Sequence, residues 1–147
     1  MVRIIIDVDG DNVKVSTETK EAKVKTKAEK ADSKSVSQYA RVFDDSCLGW
    51  ERDAQWNLVL LRQQQLYMSE LLKAQGYLFL NDVYRALGMP PSKAGQIVGW
   101  VYEENNPIGD NYVDFGLSDE RNRDFIDGIK LTALLDFNVD GEILSRI

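Results

Sequence analysis

Residues 53–76, DAQWNLVLLRQQQLYMSELLKAQG, hold the strongest helical pattern in the chain. Apolar side chains recur here every three or four residues, as in an α-helix, and predict a helix over 53–75. Gly76 is expected to end this helix, and Lys73 lies in its last turn, where a positive charge is favourable. The apolar stripe is assigned to Trp56, Val59, Leu60, Tyr67, Leu71 and Ala74, and the polar face to Arg62, Gln65, Ser69 and Lys73.

Further apolar residues widen this stripe, so we expect a long central helix that is packed on more than one side. The widening residues are Leu58, Leu61, Met68 and Leu72. Gln63 falls on the same side as the stripe, and a buried glutamine needs partners. Three interpretations of Gln63 are open: it belongs to a polar network in the core, it contacts another chain, or it lies at the solvent-exposed edge of the apolar stripe.

Shorter elements are predicted after Gly76. Asn81 is expected to cap a helix over 82–87, Ser92 a helical turn over 93–98, and Ser118 a short helix ended by Gly128. Strands are predicted over 100–102, 112–117 and 129–140, the last from strict alternation of apolar and polar residues. The fold class is therefore α+β, with the long helix and short helices packed on a small sheet that we expect to be antiparallel.

The first 37 residues differ in composition from the rest of the chain. All 14 aromatic residues lie at or after Tyr39, so the core is expected to come from residues 38–147. Residues 1–19 predict a β-hairpin arm over 3–18, turning at Asp9-Gly10-Asp11-Asn12. Residues 20–37 carry six lysines and three acidic residues and almost no large apolar side chain, which is typical of a linker.

The composition excludes several kinds of chemistry. The chain has no histidine and one cysteine, Cys47, so it can form neither a histidine-based catalytic triad nor an intrachain disulfide. A net charge of −6 would argue against nucleic-acid binding if it were evenly spread, but residues 20–37 carry six lysines and three acidic residues, a net charge of +3. A nucleic-acid accessory role through these lysines is therefore a third, less favoured hypothesis. No apolar run reaches the ~18–20 residues of a membrane span, and no signal peptide is apparent. We expect a protein that is not an enzyme and needs no cofactor, with Cys47 as a small buried apolar residue.

The segment Asp136-x-Asn138-x-Asp140-Gly141 resembles the first half of an EF-hand calcium loop, in which alternate oxygen ligands precede a glycine. The twelfth position of such a loop is a bidentate glutamate, whereas this chain has Ile147 there. The alternative interpretation is the solvent face of a strand that ends in an Asp-Gly turn. Asp136, Asn138 and Asp140 are therefore candidate metal ligands, and the competing interpretation gives them no role beyond the polar face of a strand and its turn.

A second acidic pattern, Ile4-Ile5-Ile6-Asp7-Val8-Asp9-Gly10, resembles the first motif of haloacid-dehalogenase-type phosphotransferases. In that family Asp7 would be the nucleophile and Asp9 the acid/base, assisted by magnesium. Asp11 replaces the threonine that usually follows the glycine. A plain hairpin turn is the competing interpretation, and it is the one we favour.

Residues 39–147 resemble a family of small uncharacterised proteins encoded by gut Firmicutes and their phages or prophages. The motifs that carry the resemblance are GYLFLNDVYRALGMPPSKAGQIVGWVY, DNYVDFGL and LLDFNVDGEI. The resemblance implies an origin and no activity. Within it, Gly95 and Gly99 are interpreted as sites of close packing, with Trp100 in the core.

The first functional hypothesis is a non-enzymatic interaction or accessory module. Its hairpin and tether would reach another protein or a second copy of the chain. The alternative is a calcium- or magnesium-binding protein, or a metal-dependent phosphotransfer enzyme that uses the aspartates above. The expected location is the cytoplasm of a bacterial host, or the virion if the gene belongs to a phage.

Overall fold

The computed structural model describes residues 7–8, 13–14 and 36–147, and it divides the chain into two compact units, Met1–Ser37 and Gln38–Ile147. In the first unit β1 (Asp7–Val8) pairs antiparallel with β2 (Val13–Lys14). This pairing lies within the predicted hairpin. The remaining residues of that prediction, 3–6, 9–12 and 15–18, and residues 20–35 of the predicted linker, lie outside the described residues.

The second unit is α+β, as predicted. It contains the helices α1 (Ala54–Gln75), α2 (Leu80–Ala86) and α3 (Arg123–Ile126) and the strands β3 (Arg41–Phe43), β4 (Tyr77–Phe79), β5 (Val98–Val101), β6 (Ala133–Leu135) and β7 (Gly141–Glu142). Both of its sheets are antiparallel: β3 pairs with β6, and β5 lies between β4 and β7. No helix in the described part of the chain is long and apolar enough to cross a membrane.

Helix α1 begins and ends where its sequence predicts. The Asp53 side chain accepts hydrogen bonds from the backbone N–H groups of Gln55 and Trp56 and so caps the first turn. Gly76 closes the last turn at φ 89°, in the left-handed region, and donates its N–H to the Leu72 carbonyl. Both ends are fixed by local residues, so the sequence is sufficient to locate them.

The buried face of α1 differs from the predicted one. Trp56, Val59 and Tyr67, which were assigned to the core-facing stripe, are 51%, 46% and 58% exposed. Gln63 is also exposed, so it belongs to no polar core network. The residues that face the core are Ala54, Asn57, Leu61, Met68 and Leu72. Leu60 and Leu71 of the predicted stripe are half-buried and pack against the core. The prediction is therefore wrong for the flank of the stripe that carries Trp56, Val59 and Tyr67, whereas Leu61, Met68 and Leu72 of the widened sector are buried.

Helix α2 starts two residues earlier than predicted. The Asp82 carboxylate accepts the Phe79 N–H, which caps the helix, while Asn81 is buried and has another role. Its amide donates to the Ser92 carbonyl and accepts the Ser92 N–H, both at 2.9 Å. The turn predicted over 93–98 is shorter, Ala94–Gln96, with Lys93 as its N-cap residue, and the Ser92 hydroxyl accepts the Gly95 N–H at its start.

The two strands predicted over 112–117 and 129–140 are largely wrong. Residues 112–117 form no strand, and the second prediction reduces to β6, three residues long. The first residues of the predicted strand belong instead to the turn that follows helix α3, because the Ile129 and Lys130 N–H groups both donate to the Asp124 carbonyl. The predicted alternation holds only in the middle: Ala133, Leu135 and Phe137 are buried, whereas Ile129 is 72% exposed.

Side chains bond the backbone N–H groups of Val113 and Phe115, while the Asp114 and Phe115 carbonyls accept the backbone N–H groups of Asn138 and Asp136. The Ser69 hydroxyl accepts the Val113 N–H and donates to the Val113 carbonyl, and the Gln65 amide oxygen accepts the Phe115 N–H. These two residues of α1 had been assigned to its polar face. Backbone groups need a partner but not a backbone partner, so this segment is extended and bonded without being a strand.

Candidate functional site

The Asn138 side chain, one of the three candidate metal ligands, forms four hydrogen bonds to other parts of the protein. Its amide oxygen accepts hydrogen bonds from Trp100 Nε1 at 2.9 Å and from the Asp114 N–H at 2.7 Å. Its amide nitrogen donates to the Asp110 carboxylate and to the Tyr112 carbonyl, each at 3.0 Å. The oxygen that would bind a metal therefore already accepts two hydrogen bonds.

Asp140 is the most unusual carboxylate in the described residues. Its side chain is 1% exposed, and Oδ2 accepts the Val101 N–H at 2.9 Å. Oδ1 is buried without a hydrogen-bond partner and is packed so closely against Gly109 that a Cβ atom there would lie 2.0 Å from it. Arg146 Nη1 lies 3.9 Å from Oδ2. The cation beside Asp140 is thus an arginine of the same chain.

Burial raises the pKa of Asp140 above its usual 3.8, and the nearby charges of Asp110 and Glu103 raise it further. The Val101 hydrogen bond and the Arg146 charge act in the opposite direction. The dominant effect is the loss of water around a charged carboxylate. Asp140 therefore holds a proton more tightly in the folded protein than in the unfolded chain.

We expect this proton to make stability depend on pH. The free energy of unfolding of the wild type should fall relative to Asp140→Asn as the pH rises from about 3.8 through the raised pKa. The stabilising contribution is complete below the unfolded-state pKa and is lost above the folded-state value, where the buried group must ionise. Urea unfolding of both proteins from about pH 3 to pH 7 measures the difference. A difference that is constant or grows with pH contradicts this assignment.

The other acidic candidates are not brought to the same place by any described contact. Burial raises the pKa of the Tyr84 phenol, and the charge of nearby Asp136 adds a smaller increase, whereas Asp140 lies beside Val101 and Arg146. Asp7 is opposite Lys14 in the β1–β2 pair, and Asp9 lies outside the described residues. Among residues 7–8, 13–14 and 36–147, no group of three or more His, Cys, Asp or Glu side chains is arranged to hold a metal ion.

Cys47 is buried, as predicted. Only 9% of the residue is exposed, and loss of solvent raises the pKa of its thiol. A raised pKa leaves little of the thiolate that a nucleophilic cysteine requires. Cys47 therefore acts as a small apolar residue of the core.

A groove of about 620 Å³ lies between α1 and residues 114–127. Its walls carry charges of both signs, and several of these charges are paired: Asp119 with Arg121 at 3.0 Å, and Glu120 with Arg123 at 3.7 Å. The Asp114 carboxylate accepts the Gly116 N–H.

A feature that the sequence interpretation missed is the outer face of α1, which we define by Trp56, Val59, Leu66 and Tyr67. These side chains are 51%, 46%, 63% and 58% exposed. The Trp56 indole is fixed in place, because its Nε1 donates to the Gly49 carbonyl at 2.9 Å while much of the ring remains in solvent. Apolar residues on both sides of one helix were the signal for this face, and they had been interpreted as a single wide core stripe.

The fold and these sites define a small α+β protein whose described residues show an exposed apolar helix face and no group of three or more His, Cys, Asp or Glu side chains that could hold a metal ion. The chain belongs to a family of unknown function, DUF6353, whose sequence profile matches residues 6–147. The match starts well before Tyr39, so it also includes most of the N-terminal segment that the sequence resemblance had left out. No curated protein matches the chain, and no solved structure does.

Proposed function

We propose that this protein is a non-enzymatic protein–protein interaction module whose docking surface is the outer face of α1. The observation that carries the proposal is the exposure of four large apolar side chains on one face of a helix that is capped at both ends. Contiguous exposed apolar surface of this kind marks interaction sites more often than it arises by chance. Aromatic residues such as Trp56 and Tyr67 are enriched among those that dominate binding energy.

The rigidity of this face supports the proposal. The Asp53 cap, the Gly76 closure and the Trp56–Gly49 hydrogen bond hold the surface in one conformation before any partner arrives. A preorganised surface loses less conformational entropy on binding than a disordered one. The predicted contribution of the N-terminal hairpin and of the lysine-rich residues 20–37 to partner binding is a second part of this proposal. So are the phage or prophage origin and the cytoplasmic or virion-associated location.

The test compares two double variants of the full chain. Val59→Glu/Tyr67→Glu places charges on the outer face of α1, and Ile108→Glu/Ile129→Glu makes the same kind of change at residues that are 60% and 72% exposed elsewhere. The four residues are 46% to 72% exposed and none of them is in the core, so both variants should fold, which circular dichroism verifies. Assembly of the chain with itself or with a host protein is measured by light scattering and affinity capture.

We expect the first variant to lose the assembly that the wild type forms, and the control to retain it. Equal assembly of both variants would remove the outer face of α1 from the interaction. A wild type that binds neither itself nor any host protein would overturn the proposed function altogether.

A further inference from the structure

Residues 140–147, which we call the β5 strap, cover the edge of β5 that faces away from β4. The Asp140 N–H donates to the Gly99 carbonyl and the Ile143 N–H to the Ile97 carbonyl, both at 2.8 Å. The paired part of the strap, β7, is only two residues long. Ile143 is its only buried apolar side chain, and three of the four residues that follow Ile143 are exposed. The strap is therefore held to β5 by a small number of contacts.

The far end of the strap is fastened by an arginine. Arg146 Nη2 donates to Glu103 Oε2 at 2.7 Å, and Arg146 Nη1 lies 3.9 Å from Asp140 Oδ2. Glu103 belongs to the loop that follows β5, so this ion pair ties the strap to that loop. The Arg146 side chain is 21% exposed, and a partly buried ion pair is screened less by solvent than a fully exposed one.

The near end of the strap carries a contact that opposes closure. Asp140 Oδ1 is buried against Gly109 without a hydrogen-bond partner among the described residues. A buried polar atom without a partner costs free energy, and the cost is larger when the atom belongs to a charged group. Water could satisfy this oxygen only if Asp140 left the protein interior. Closure is thus opposed at Asp140 and favoured at Ile143 and Arg146.

We infer that the β5 strap opens in one step while the remainder of residues 38–147 stays folded, and that Arg146 is its fastening. Segments with few buried apolar contacts open at a lower free energy than the whole protein. An open strap would hydrate Asp140 and leave the backbone groups of β5 without partners at this edge, and such an edge can pair with another strand. The inference concerns a different surface from the outer face of α1 and does not rest on the proposed function.

Two consecutive amides at the end of β5 distinguish an open strap from general unfolding. The Val101 N–H donates to Asp140 Oδ2, whereas the Tyr102 N–H donates to the Gly76 carbonyl next to β4, each at 2.9 Å. Native-state hydrogen exchange of the full chain at about pH 7, followed by NMR, measures both. After correction for intrinsic rates, we expect the N–H groups of Val101, Asp140 and Ile143 to exchange at least about tenfold faster than that of Tyr102.

Two variants should move the strap in opposite directions. Arg146→Gln removes the charged fastening and should accelerate exchange at Val101 and Ile143 a further tenfold or so, with Tyr102 unchanged. Asp140→Asn should slow exchange at Ile143 by at least about threefold, because a buried amide costs less than a buried charged carboxylate.

The matched control is Arg123→Gln, which removes an arginine from the exposed pair with Glu120. We expect it to leave the exchange of the strap amides unchanged.

Equal protection of Val101 and Tyr102 in the wild type would overturn the strap, because this edge would then open only together with the rest of the protein. Acceleration of Tyr102 as large as that of Val101 in Arg146→Gln would show that the arginine stabilises the whole fold and does not fasten the strap. Faster exchange at Ile143 in Asp140→Asn would contradict the role given to the unpartnered oxygen.

Discussion

Replacing Asn138 with alanine is expected to lower the free energy of unfolding by about 2–4 kcal/mol, because two donors lose their acceptor at once. Trp100 is completely buried, so its indole N–H would have no replacement for the Asn138 oxygen. The Asp114 N–H, which also bonds to this oxygen, would be left in a half-buried loop. Urea or guanidinium unfolding followed by tryptophan fluorescence measures the loss.

The matched control is Asp110→Ala, which removes one of the four Asn138 contacts at an exposed carboxylate. We expect it to cost under about 1 kcal/mol. Asn138→Asp should be nearly as harmful as alanine, because an ionised carboxylate cannot donate to Asp110 or to the Tyr112 carbonyl. An Asn138→Ala protein as stable as the Asp110 control would show that this residue does not join the loops.

Gly99→Ala is expected to cost at least about 3 kcal/mol or to prevent folding, because the new methyl group meets backbone and not a movable side chain. A Cβ at Gly99 would lie 2.0 Å from the Leu78 carbonyl oxygen and 2.9 Å from Phe79 Cα. These atoms belong to β4, the neighbour of β5, so relief requires the two strands to separate. Thermal unfolding by circular dichroism, together with the soluble yield, measures the effect.

Gly128→Ala is the control for this substitution. No atom lies within 4 Å of the added Cβ, and only the left-handed backbone at φ 82° opposes it. Left-handed conformation costs a non-glycine residue about 1–2 kcal/mol. If Gly99→Ala were no worse than Gly128→Ala, β4 and β5 would be farther apart than the structure places them.

The ends of α1 could be predicted because a single neighbouring residue fixes each of them. Asp53 and Gly76 act within one turn, so no knowledge of the tertiary structure is needed. The buried face could not be predicted in the same way. Apolar residues lie on both sides of this helix, and only the packing of Leu61 and Met68 against the rest of the core shows which side is buried.

The strands after residue 111 were overpredicted because an alternating pattern records burial and not hydrogen bonding. Val113 and Phe115 alternate with more exposed residues, as in a strand, but their N–H groups bond to Ser69 and Gln65 of α1. Such partners are 44 and 50 residues away in sequence, and no local pattern reveals them.

The acidic motif at 136–140 shows the same limit for sites. Alternating oxygen side chains indicated a loop in which polar groups converge, and Asn138 and Asp140 are indeed surrounded by partners. These partners are an indole, backbone amides and Arg146 of the same chain. Sequence spacing identifies residues with coordinating chemistry, but it does not show whether the protein itself has already used their oxygens.

Five of the side chains that hold the loops against α1 and the core carry no charge, namely Gln65, Ser69, Asn81, Asn122 and Asn138. Groups without net charge are not weakened by ionic screening, whereas surface ion pairs are. Added salt should instead relieve the self-repulsion of a chain whose net charge is −6. The connections between loops and helix are thus built to tolerate large changes in ionic strength, and high salt should favour the compact state.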